Sequence, residues 1–149
     1  MTVVSVLTAA RIGHRKVERQ LGRAGYALVG DEGAVRVSRS GADAVEMSPA
    51  RLDELTPVSM DAARQMLGLQ PWTGVRCQFD GAVGAGDAWG TVVDIARAVA
   101  AVVPLAVLDD HAGTTYLISA KRGLIPPDEY NQKQGPSASA DFLRRLLGN

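Results

Sequence analysis

Four aspartates stand where the chain is expected to reverse: Asp80 ends the stretch Val75–Asp80, Asp87 precedes an amphipathic stretch, and Asp109 and Asp110 lead into His111-Ala112-Gly113. Aspartate is both a turn former and a helix N-cap, which accounts for each singly. Together they allow more. In a strand–helix–strand–turn path, the end of the strand over 74–80, the helix start at Asp87 and the turn at Asp109 share one sheet edge. Asp80, Asp87, Asp109, Asp110 and His111 are therefore expected to form an acidic rim that meets a basic protein partner by charge complementarity. Asp31 and Glu32, in the turn Gly30-Asp31-Glu32-Gly33, join it if the first half of the chain repeats the second. A Mg²⁺ site needs several oxygens converging at about 2.1 Å, and no metal is expected.

Covalent chemistry has one thiol, Cys77, and two candidate bases, His14 and His111. A thiol nucleophile needs a base within hydrogen-bond reach and a group to orient that base. Val75-Arg76-Cys77-Gln78-Phe79-Asp80 alternates apolar and polar, which puts Cys77 on the buried face of a strand. There a free cysteine behaves as a small hydrophobe. With no second thiol, a structural zinc site is not expected. Gly84-Ala85-Gly86-Asp87-Ala88-Trp89-Gly90 follows a strand and opens a helix, as a dinucleotide-binding turn does. Context opposes it: the preceding strand carries Arg76, Gln78 and Asp80 on one face, and a hairpin follows instead of a second crossover. No catalytic residue and no cofactor is assigned. The competing reading is a small enzyme or ligand-binding domain that uses the Gly81 to Gly90 loop as an anion or nucleotide site at a helix N-terminus.

Arg11, Arg15, Arg19 and Arg23 recur every four residues, drifting about 40° per step on a helix, and lie opposite Val17, Leu21 and Ala24. Such a stripe reads as a solvated face. Sixteen Lys plus Arg balance sixteen Asp plus Glu over 149 residues, which argues against nucleic-acid or membrane-surface binding driven by bulk charge. The single cysteine favours a reduced compartment, the cytoplasm. The longest uncharged apolar run, residues 98–108, is interrupted by Pro104 and is far short of the roughly 20 residues of a membrane span.

The elements that must hold these residues follow from periodicity. Residues 2–8 read as a strand, 11–24 as a helix, 26–29 and 34–39 as a hairpin, and 44–47 as a further strand. Ser48-Pro49 reads as an N-cap and first helical position opening a short helix through Leu55, and Ser59 as the cap of a second over 60–67 closed by Gly68. In the second half, a strand to Asp80 precedes a helix with Val92, Ile95, Ala96, Val99, Val102 and Val103 on one face. A hairpin over 105–108 and 114–119 comes next. A polar stretch from 121 then leads to a C-terminal helix from Ser139 carrying Phe142, Leu143, Leu146 and Leu147.

This is one α+β domain with an antiparallel sheet packed on helices. It divides into a first βαβββ half (1–47), a helical connection (48–70), a second βαββ half (71–120), and a polar loop with a C-terminal helix (121–149). A shift of 78 residues superposes Val17, Leu21 and Ala24 on Ile95, Val99 and Val102, and Asp31 on Asp109. Duplication and coincidence both account for that register.

The stretch from Val92 to Ser119, an Ala/Val-rich amphipathic helix followed by PLAVLDDHAGTTYLIS, resembles a pattern of small immunity proteins from bacterial toxin–immunity loci. The resemblance implies an α+β domain that binds and blocks a cognate toxin without catalysis. It assigns no functional position.

Overall fold

The computed structural model describes residues 1–30, 33–39, 44–68, 71 and 73–127. Along the chain lie β1 (Thr2–Thr8), α1 (His14–Arg23), β2 (Ala27–Gly30), β3 (Val35–Ser38), β4 (Val45–Pro49), a 3-10 turn (Leu52–Glu54), α2 (Pro57–Leu67), β5 (Thr73–Phe79), α3 (Asp87–Val102), β6 (Ala106–Asp109), β7 (Thr115–Ser119) and β8 (Gly123–Ile125). The strands form one sheet in the order β2-β3-β4-β5-β1-β6-β7-β8, with every neighbouring pair antiparallel. The expected class, an α+β antiparallel sheet packed on helices, is what forms.

Pleating sends alternate residues to opposite faces. Val4, Val6, Val75, Cys77, Phe79 and Leu108 face α1 and α3 in the larger core. Leu7, Val107, Leu117 and Ile125 face α2 in a smaller one. α3 contributes Val92, Ile95, Ala96 and Val99, all fully buried, the stripe its 3.6-residue period requires. α1 buries Val17 and Leu21. The two faces differ in cover: α2 packs on β6 and β7, the 3-10 turn reaches β5 through Glu54 and Arg76, and Val29, Arg36 and Glu46 stand exposed on the same face of β2, β3 and β4.

Several local readings are corrected. Ser48-Pro49 opens no helix. Both extend β4, paired with Arg76 and Val75, because a strand partner outweighs a local capping signal, and the helix expected through Leu55 shrinks to the 3-10 turn. α2 starts earlier than expected: Thr56 is its N-cap, with its hydroxyl accepting from the Ser59 N–H, and Pro57 is the first helical residue. Gly86 occupies the N-cap of α3, and Asp87 is its first residue. The stretch after 121 holds an unanticipated short strand, β8, paired to β7. The C-terminal helix expected from Ser139 lies outside the described residues.

The halves are also wired differently. β5-α3-β6 steps over a single strand, β1, whereas β1-α1-β2 steps over β5, β4 and β3 to the sheet edge. A shift of 78 residues thus superposes an inner strand, β6, on an outer one. β2 and β6 run in opposite directions, so the ends of β2 and β3 at Gly30 and Val35 face away from the edge that holds Asp80. Asp31 and Glu32 lie outside the described residues.

Candidate functional site

One register line crosses five strands on the α2 side: Ser48 on β4, Arg76 on β5, Ser5 on β1, Asp109 on β6 and Thr115 on β7. Polar residues at matched positions of adjacent strands stand side by side, so this row places hydroxyl, guanidinium and carboxylate groups next to one another. Arg76 Nε lies 2.9 Å from Glu54 Oε1, and Arg76 Nη1 donates to Gln78 Oε1 at 2.9 Å.

At the centre Ser5 Oγ hydrogen-bonds His111 Nε2 at 2.8 Å. The backbone N–H of His111 donates to Asp109 Oδ2 at 3.2 Å. His111 holds the left-handed conformation, φ 60°, which folds its ring back over the strands. Burial pushes the Asp109 carboxyl above the ordinary aspartate range, a rise partly offset by the Ser59 hydroxyl of α2 and by His111. Oδ1 of Asp109 is fully buried with no well-formed hydrogen bond among the described residues.

Serine, histidine and aspartate in contact invite comparison with a nucleophile relay, and the geometry argues against one. A relay needs serine on one ring nitrogen and the carboxylate on the other. Here Asp109 Oδ2 approaches the same nitrogen that Ser5 uses, Nε2, at 4.0 Å. Ser5 is also only 1% exposed, out of reach of a substrate. The cluster clamps β1, β6, the following turn and α2 together.

The expected rim is therefore divided. Asp109, Asp110 and His111 are contiguous, but Asp109 is buried under α2. Asp110 Oδ1 accepts the N–H groups of Ala112 and Thr114 at 2.8 and 2.9 Å, closing the β6–β7 turn. Asp87 is exposed at the start of α3 on the opposite face of the sheet. Asp80 is exposed just past the end of β5, in a 310 Å³ hollow with Met1, Arg36, Glu46 and Gln78. Direction along the strands puts these residues at one edge, and pleating then sends them to different faces. Sequence reasoning missed Ser5, Ser59, Arg76 and Glu54. The one legible signal was a lone serine inside the apolar run Val3-Val4-Ser5-Val6.

Cys77 is fully buried beside Val4 and Met47, its cross-strand partners, and desolvation pushes its thiol up to about 12. A thiol that stays protonated is neither a nucleophile nor a ligand. Around the Gly81 to Gly90 loop, Gly86, Asp87, Gly90 and Thr91 line a 260 Å³ hollow with Tyr26, Arg39 and Asp94. Two carboxylates there oppose a phosphate. Among the described residues no group of three or more His, Cys, Asp or Glu could hold a metal ion, and no helix is long and apolar enough to cross a membrane. No family model, curated protein or solved structure matches the chain.

Proposed function

We propose that this chain is a protein-binding domain that neutralises a bacterial toxin by occupying it, as the resemblance to immunity proteins implies. The observation that carries the reading is the α2 side of strands β2 to β4. It presents exposed Val29, at 68%, and exposed Arg36 opposite exposed Glu46, with Met1, 85% exposed, lining the adjoining hollow. A sheet face mixing exposed apolar side chains with charges of both signs is the composition of a protein interface more than of a ligand cleft. Asp80 borders this surface and is the member of the acidic rim best placed to meet a basic partner.

Co-expression with the product of the neighbouring gene, in cells whose growth that product arrests, tests it. The chain is expected to restore growth, and Val29→Glu and Glu46→Arg to abolish protection while the variants remain folded. Protection unchanged by both would move the interface elsewhere. Failure to protect against the neighbouring product, with no complex detectable, would overturn the neutralising role.

A further inference from the structure

The opposite face of the molecule carries a different kind of surface. Between residues 11 and 24 the chain places five cations, Arg11, Arg15, Lys16, Arg19 and Arg23, against a single acid, Glu18. All five cations are exposed, and none has an ion-pair partner among the described residues. In a chain of zero net charge this is a strong local segregation. On the side of α1 that carries Gln20, next round the helix from Lys16 and Arg23, α1 and α3 pack to leave a 420 Å³ groove lined by Gln20, Leu21, Ala24, Ala98 and Ala101. Arg39 and Arg97 project at its rim, with Asp94 between them. Tyr26 donates to Asp94 Oδ2 at 2.5 Å, Arg97 lies 3.7 Å from Asp94 Oδ1, and Arg39 stacks on the Tyr26 ring at 4.2 Å. These contacts hold the rim in place before anything binds.

We propose that the α1/α3 groove, with Lys16 and Arg23 of α1, is a docking surface for an acidic, extended segment of a protein partner. Carboxylates of the segment meet Arg39, Arg97, Lys16 and Arg23, and its small apolar side chains fill the alanine-lined groove. Asp94 favours a peptide over a nucleic acid, because a peptide backbone offers N–H donors and a phosphate backbone offers only more negative charge. The Tyr26 ring is buried beneath Arg39, so it gives bases no free stacking platform. This proposal does not rest on the interface assigned above, which lies on the other side of the sheet.

Fluorescence anisotropy of the full chain with a labelled twelve-residue Glu/Ala peptide tests it, beside a Gln/Ala peptide and a single-stranded DNA oligonucleotide of similar length. The Glu/Ala peptide is expected to bind best. Lys16→Glu with Arg23→Glu is expected to weaken it about tenfold or more, and raising salt to weaken it in the wild type. Ala101→Trp, which fills the groove from an exposed position, is expected to weaken it similarly, while Arg51→Ala on the opposite side changes nothing. No preference over Gln/Ala, tighter binding of the DNA, or full affinity in the charge-reversed or tryptophan variant overturns the proposal. If the charge-reversed chain fails to fold, Ala101→Trp decides alone. None of these changes touches Val29 or Glu46, so toxin protection is expected to survive them and the two readings can fail separately.

Discussion

Ser5 on β1 and Asp109 on β6 are direct cross-strand partners, both buried, and His111 ties them together, its ring bonded to the serine and its backbone N–H to the carboxylate. The pair makes the centre of the sheet polar on its α2 side. It leaves one carboxylate oxygen without a full complement of hydrogen bonds.

That arrangement predicts a pH dependence. Burial raises the Asp109 carboxyl above the unfolded value of about 3.9, so between the two values the folded chain holds more protons than the unfolded one. Stability contributed at this site is then greatest below the unfolded value, is lost as pH rises through the folded value, and is constant above it. Asp109→Asn resembles the protonated acid at every pH. In urea unfolding it is expected to match the wild type near pH 3 and to be the more stable protein at pH 7. A difference that stays flat across this range would show an aspartate that titrates normally.

Cys77 is expected to resist iodoacetamide in the folded protein at pH 7 and to react once the chain is unfolded. Rapid native alkylation would place the thiol at the surface and reopen its role as a nucleophile. Cys77→Ser sets a hydroxyl among Val4, Met47 and the neighbouring core, and is expected to cost about 1–3 kcal/mol in chemical denaturation.

Val99 is fully buried on the inward face of α3. Val99→Asp places an unpaired carboxylate there, and the expected loss of several kcal/mol is comparable with the whole stability of an ordinary domain. Circular dichroism should show an unfolded or strongly destabilised chain. An unchanged melting temperature would mean that α3 does not pack on the sheet.

Gly74 on β5 stands opposite Leu7, and a methyl group added there would lie 2.1 Å from the Val6 carbonyl oxygen. Both neighbours are central strands, so backbone must move to admit it. Gly74→Ala is expected to destabilise by about 2 kcal/mol or more. Gly22→Ala, in α1 with nothing within 4 Å of the added carbon, is expected to stabilise by about 0.5–1 kcal/mol. Thermal melts of the two variants read both signs, and equal effects would contradict the packing at β1–β5.

Much of the architecture was legible because it rests on local periodicity. The α3 face of Val92, Ile95, Ala96 and Val99 and the alternation that buries Cys77 both follow from side-chain period, and both are found as read. The arginine stripe likewise follows from α1 geometry, since Val17 and Leu21 must face the sheet. Burial of Cys77 in turn settles its chemistry, because desolvation keeps the thiol protonated. Strand order, by contrast, depends on which distant segments pair. Only the tertiary structure decides that β6 lies beside β1 while β2 runs out to the edge, and that Ser48-Pro49 extends a strand. The same pairing dissolves the acidic rim. Sequence puts Asp80, Asp87 and Asp109 at one end of their elements, but which face each side chain takes depends on pleat register and on where α2 lands. Asp109 becomes an internal clamp for that reason, and Ser5, 106 residues from His111, becomes its neighbour only when the sheet closes.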